Sequence, residues 1–316
     1  MIRNRLHILM SALLALASCS GQDSLPHESS IGFDVMAEDY VATKVTDTSF
    51  EGPDVLNVLG FLVKDGGQTD YTASYMGDYA STGISPFSFT YSGVVVERGD
   101  GSKVYATEYS WPAFARNEYE SLDFYAYYAV NKTTSGGTTG PVMQFNSESA
   151  PTFSYLSDVA GQAEVEDFLF VRNVANKNDV KLTFKRPLAK VVLKLVLKDW
   201  ISAEDVTWMF DDFEVGDVYD CVSGDWISSD QTLTKSQMLI NTMSNEVAFY
   251  ALPQTVEEFA FIWNYHKELI TLSQPLELTS GNRYTITLTV TKDKVIGIQT
   301  SDGVRQWDTV INDNIL

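Results

Sequence analysis

Cysteine and histidine are scarce in this chain, and their scarcity removes most of the chemistry a sequence can advertise. Only Cys19 and Cys221 occur in 316 residues, too few for a disulfide framework. Three histidines, His7, His27 and His266, cannot assemble a multi-histidine metal centre. No Gly-x-Ser-x-Gly elbow offers His266 a nucleophile, and no Gly-x-x-x-x-Gly-Lys loop cradles a phosphate; "GDGSK" at Gly99–Lys103 reads as a hairpin turn. Positive charge is also short: 22 Lys and Arg face 42 Asp and Glu, a net charge of −20. A field of that sign repels nucleic acid and anionic lipid and favours solubility outside a cell. Helical periodicity is weak, with Ser157–Phe168 and Thr234–Met243 the only modest candidates.

Long apolar runs are absent apart from Ile8–Ala17, which is too short to span a bilayer as a helix. Arg3 and Arg5 precede it, so residues 1–18 read as a signal peptide. The run ends in "LASC", Leu16 to Cys19, which resembles a bacterial lipoprotein processing site and implies that Cys19 becomes a lipidated first residue. Acyl chains contribute roughly 0.8 kcal/mol per buried methylene, so several together anchor the chain to a membrane it does not cross. Residues 19–30 then form a polar tether, and loss of Arg3 and Arg5 takes the net charge from −20 to −22.

What the chain has in abundance is strand. In "NRYTITLTV", Tyr284, Ile286, Leu288 and Val290 fall on one face and Thr285, Thr287 and Thr289 on the other, the alternation of a sheet with one wet side. "LAKVVLKLVLKD" places Val191, Leu193, Leu195 and Leu197 inward; "SLDFYAYYAV" sets Leu122, Phe124, Ala126 and Tyr128 against Asp123, Tyr125 and Tyr127. Further strands are read at Ile31–Met36, Val55–Val63, Phe87–Val96, Lys103–Glu108, Asp167–Arg172, Val180–Phe184, Glu246–Leu252 and Val295–Thr300. Turns such as "KDGGQ", "VSGD" and "TSGN" separate them. Many short strands with Gly-rich turns indicate an all-β, sandwich architecture. The polar link Asn173–Asp179 divides the chain into an N-terminal sandwich, residues 31–176, and a C-terminal one, residues 177–316.

The acidic stretch from Glu204 to Asp220 follows no calcium-loop template and reads as solvated faces and edge protection. No metal ligand set, catalytic residue or cofactor motif is assigned. Cys221 reads as a buried, inert thiol. Six tryptophans (Trp111, Trp200, Trp208, Trp226, Trp263, Trp307) and sixteen tyrosines read mainly as core packing. Sugar-stacking platforms are the alternative reading, which would make the chain a carbohydrate-binding surface lipoprotein.

Several motifs in order resemble the fimbrillin family of Bacteroidetes, surface lipoproteins of type V pili. They are "LASC"; "IGFDV" near the mature start; "YSWPAFARNEYESLDFYAYYAV"; "EDFLFV"; "VKLTFKRPLAKVVLKLVL"; "YALPQT"; "LTSGNRYTITLTV"; and "VIGIQTSDGVRQWD". The resemblance covers nearly the whole mature chain. It implies two tandem transthyretin-like sandwiches, and a first strand removed by a protease that cuts the following loop. A strand from the C-terminal region of another subunit then fills the groove. The family's cleavage loop carries arginine; here it carries Lys44, with no arginine between Cys19 and Arg98. A lysine-tolerant protease would cut between Lys44 and Val45.

On this resemblance the removable plug strand presents Ile31, Phe33 and Val35 on one face. The candidate donor is the tail, where Val304, Gln306, Asp308 and Val310 alternate with Arg305, Trp307, Thr309 and Ile311. The implied protein is a pilin of surface fimbriae that supports adhesion. Its implied partners are other fimbrial subunits, a processing protease, an outer membrane held through the lipid, and a surface receptor of unknown identity. A non-polymerising tip or anchor subunit is the alternative within the same resemblance.

Overall fold

A computed structural model describes residues 30–37, 55–90, 95–97, 103–114, 118–129, 132–134, 137–146, 149–156, 168–198, 208–227, 238–240, 245–263, 266–291, 294–301 and 304–305. Twenty-six strands run through these residues, and among them there is no α-helix.

The chain begins with β1 (Ser30–Ala37), β2 (Val55–Lys64) and β3 (Gln68–Met76). A small hairpin, β4 (Asp78–Ala80) with β5 (Gly83–Ser85), leads to β6 (Phe87–Thr90), β7 (Val95–Glu97), β8 (Lys103–Ser110) and β9 (Tyr119–Ala129). Next come the hairpin β10 (Lys132–Thr134) and β11 (Gly137–Thr139), then β12 (Val142–Gln144), β13 (Thr152–Leu156), β14 (Phe168–Ala175) and β15 (Val180–Phe184). Two sheets, ordered β15-β1-β8-β7 and β14-β9-β2-β3 with β6 also on β2, face each other. Between them lies a core that includes Ile31, Phe33, Val58, Phe89, Leu122, Phe124, Val180, Leu182 and Phe184.

The second half supplies β16 (Ala189–Leu197), β17 (Trp208–Asp211), β18 (Gly216–Asp220), β19 (Asp225–Ile227), β20 (Met238–Ile240) and β21 (Glu246–Ala251). It closes with β22 (Gln254–Trp263), β23 (His266–Leu278), β24 (Asn282–Val290), β25 (Val295–Thr300) and β26 (Val304–Arg305). Its sheets are β21-β16-β24-β25, with β26 also on β24, and β20-β17-β22-β23. Val191, Leu193, Leu195, Phe213, Phe259, Phe261, Ile286 and Leu288 fill the space between.

The two halves repeat one arrangement. In each, the first strand lies parallel to a late one, β1 to β15 and β16 to β24, and antiparallel to a middle one, β8 or β21. In each, a second sheet keeps a matching order, β3-β2-β9-β14 and β20-β17-β22-β23. A parallel neighbour needs a long crossover, and the opposing sheet provides it.

Alternation in β24 and β16 accounts for their burial: Tyr284, Ile286, Leu288 and Val290 are inside, as are Val191, Leu193 and Leu195. The strand β9 departs from simple alternation because both of its faces are covered. Leu122, Phe124 and Ala126 face the first core, whereas Tyr125 and Tyr127 face a third cluster at the junction of the halves. Gly66 and Gly67, at φ +99° and +85°, make the "KDGGQ" turn between β2 and β3 in a region side-chain-bearing residues avoid.

Two expectations change. Phe87–Val96 is not one strand: β6 pairs with β2 and β7 with β8, so the chain crosses from one sheet to the other. Met238–Ile240, inside the segment read as helix, is a strand paired with Trp208–Phe210, because tertiary pairing outweighs a faint helical period. The link Asn173–Asp179 precedes β15, yet Val180, Leu182 and Phe184 pack in the first core, and the chain reaches the second core only beyond Lys185.

Candidate functional site

The site is the place β1 occupies. β1 is not an edge strand: β15 flanks it in parallel register from Phe33↔Val180 to Ala37↔Phe184, and β8 flanks it antiparallel through Ser30↔Ser110, Gly32↔Ala106 and Phe33↔Tyr105. β8 therefore pairs with the first part of the strand, at Ser30, Gly32 and Phe33, and β15 with Phe33–Ala37, so that Phe33 is paired on both sides. Removing the strand exposes unpaired N–H and C=O groups on two neighbours, which is costly unless another strand replaces them.

Its side chains explain the depth of the slot. Ile31 and Phe33 are 0% and 1% exposed. Phe33 stacks on Phe89 at 5.5 Å and 14°, and meets the edge of Phe124 at 5.7 Å and 86°. Tyr105 also stacks on Phe89 at 4.3 Å, and Trp111 meets Phe124 at 6.0 Å. Val35 packs against the same core while partly exposed. The Thr107 hydroxyl donates to the Ile31 carbonyl at 2.9 Å, adding a side-chain bond to the ladder. Burial of Ile31 and Phe33 contributes about 1.5–3 kcal/mol each.

Ile31, Phe33 and Val35, expected from the sequence to form a plug, are thus gathered in one strand that lies between β8 and β15. Of the candidate donor, Val304 lies in β26, whose backbone pairs with Arg283 of β24 in the same chain. Cys19, Lys44, Val45, Gln306, Asp308 and Val310 lie outside the described residues. The sequence places Phe89, Phe124, Thr107 and Val180 in strands but not beside β1, since nothing local marks them as its neighbours.

Other polar chemistry is self-contained. Asp123 is fully buried and accepts from Thr69 Oγ1 at 2.8 Å, Tyr125 OH at 3.0 Å and Arg172 Nε and Nη2 at 2.9 and 2.8 Å. The bond to Asp123 holds the Arg172 guanidinium more firmly protonated than usual, and burial pushes the Tyr125 phenol well up. Such a charge pair is neutralised internally. Burial likewise raises the Cys221 thiol well above its ordinary value, which keeps it protonated and unreactive. Among the described residues no group of three or more His, Cys, Asp or Glu is placed to hold a metal ion, and no helix is long and apolar enough to cross a membrane.

Comparison with known proteins bears on this geometry. A sequence model of the fimbrillin-like family matches residues 43–307. No curated protein matches the chain. Among solved structures, a candidate cell adhesion protein from Bacteroides uniformis superposes with a TM-score of 0.51 at 15% identity, covering 89% of this chain and 99% of that one. That likeness speaks to the fold. A fimbrial protein from Bacteroides vulgatus gives 0.46 at 14% identity, covering 86% and 98%. The tip fimbrial protein Mfa3 from Porphyromonas gingivalis, with a C-terminal truncation, gives 0.37 at 9% identity, covering 78% and 92%.

Proposed function

The chain belongs to the fimbrillin-like family, and from that membership we propose that this fimbrial or adhesin-like protein is a structural subunit of surface fimbriae, assembled by protease-triggered exchange of β1. The observation that carries the proposal is the position of β1 between β8 and β15, strands it does not adjoin in sequence, with Ile31 and Phe33 buried in the core beneath it. While the loop to β2 is intact, the tethered strand enjoys an effective concentration of roughly millimolar, and a dilute competitor is excluded. Cutting between Lys44 and Val45 removes that advantage. A strand from a neighbouring subunit then supplies the same ladder bonds and apolar contacts, which is strand addition.

In this reading Cys19 carries the lipid that holds the precursor at the outer membrane, and a lysine-tolerant protease releases it. The incoming strand comes from the C-terminal region that contains Val304, Gln306, Asp308 and Val310. Adhesion follows from the fibre. A non-polymerising tip or anchor subunit is the second reading, favoured by Lys44 in place of arginine and by the pairing of Val304 within its own chain.

Limited digestion of the precursor with a lysine-specific protease tests the choice. Polymerisation gives a ladder of oligomers whose subunits begin at Val45. Cut monomers that keep β1 bound and never form a ladder would remove the polymerising role.

A further inference from the structure

Besides the small hairpins β4–β5 and β10–β11, four strands stand outside the two repeating sets. β12 and β13 arise in the connection between β9 and β14, and β18 and β19 in the connection between β17 and β20. They nevertheless form one sheet, ordered β12-β13-β18-β19, in which β13 of the first half pairs with β18 of the second from Thr152↔Asp220 to Leu156↔Gly216. The shared sheet does not float over the joint. Phe153 packs on Phe168 at 4.7 Å, Tyr219 meets Phe168 and Phe170 at 5.4 and 5.5 Å, and Tyr155 and Trp226 close the cluster at 5.8 Å. Trp226 also donates through Nε1 to the Pro187 carbonyl at 2.9 Å, pinning the covalent link between the halves.

We propose that this sheet is a lock that makes the two sandwiches a single mechanical and cooperative unit. A pull entering at the β1 slot and leaving through the C-terminal strands is carried by the β13–β18 ladder and its aromatic backing rather than by the short covalent link. The lock has one narrow point. A Cβ on Gly216 would stand 3.0 Å from both the Tyr155 carbonyl oxygen and Leu156 Cδ1. A branched side chain there wedges β18 off β13.

The test uses the uncut full-length monomer, so it is independent of strand exchange. Hydrogen exchange in the wild type is expected to show amides of β13 and β18 protected to within about tenfold of those in β9 and β16, the signature of one opening unit. Exchange more than about tenfold faster in the lock strands would overturn the proposal. Gly216→Val is expected to strip protection from β13 and β18 alone and to split denaturant unfolding into two steps. One-step unfolding of that variant at the wild-type midpoint would equally overturn it.

Discussion

Phe33→Ala is the substitution whose effect follows most directly from the slot. The ring is 1% exposed, stacked on Phe89 and edged by Phe124, so its removal leaves a cavity that three rigid strands cannot easily collapse into. Deleting a buried Phe side chain costs about 3–5 kcal/mol. Since about 1.4 kcal/mol is tenfold in an equilibrium constant, β1 should bind its slot roughly 10² to 10⁴ times less tightly once the loop is cut. The assay follows a fluorescently labelled fragment spanning β1 as it leaves and re-enters the cut protein, read by anisotropy. Val35→Ala, at a partly exposed position on the same face, should cost far less. Retention of the Phe33→Ala fragment within about threefold of wild type, against a cavity cost of this size, would refute the claim that the aromatic pocket holds the plug.

Other outcomes follow from the same geometry. Cys221 should resist thiol reagents in the native protein at pH 8.5 and react fully in denaturant, because burial keeps it protonated; rapid native labelling would contradict its placement. Burial raises the phenols of Tyr125, Tyr127 and Tyr219 above their ordinary value near 10. Their contribution to stability is complete below about pH 10 and is lost as pH rises beyond it, because the unfolded chain then releases protons the native one keeps. Denaturant midpoints between pH 8 and 12 read this, and a flat profile would count against it. Gly77→Ala should destabilise by more than about 1 kcal/mol, given φ +71° and a Cβ 2.9 Å from the Phe87 nitrogen; thermal melting measures it.

Strands were legible where one face is wet. Thr287 and Thr289 are half-buried and alternate with a buried apolar row, although Thr285 in the same series is itself buried, and Val180–Phe184 was bounded to the residue. Partnership was less legible than existence. Nothing in "VKLTF" says that it lies beside "GFDVM" far upstream, since parallel pairing leaves no local trace. The hairpin β22–β23 went unread because Glu257 and Glu258 adjoin and Pro275 interrupts, and a bulge between Val256 and Glu258 absorbs the misfit. Two strands of the shared sheet, β12 and β19, are three residues long, below what periodicity resolves. Ile31, Phe33 and Val35 were legible as a face; the pocket that receives Phe33 is assembled from β6, β8 and β9 and required the fold.

The N-terminal residue of the protein within fibres sheared from cells decides the central claim. Mass spectrometry should find subunits that begin at Val45, with the segment containing Ile31 and Phe33 gone. Assembled subunits that still begin at a lipidated Cys19 and carry β1 would contradict it.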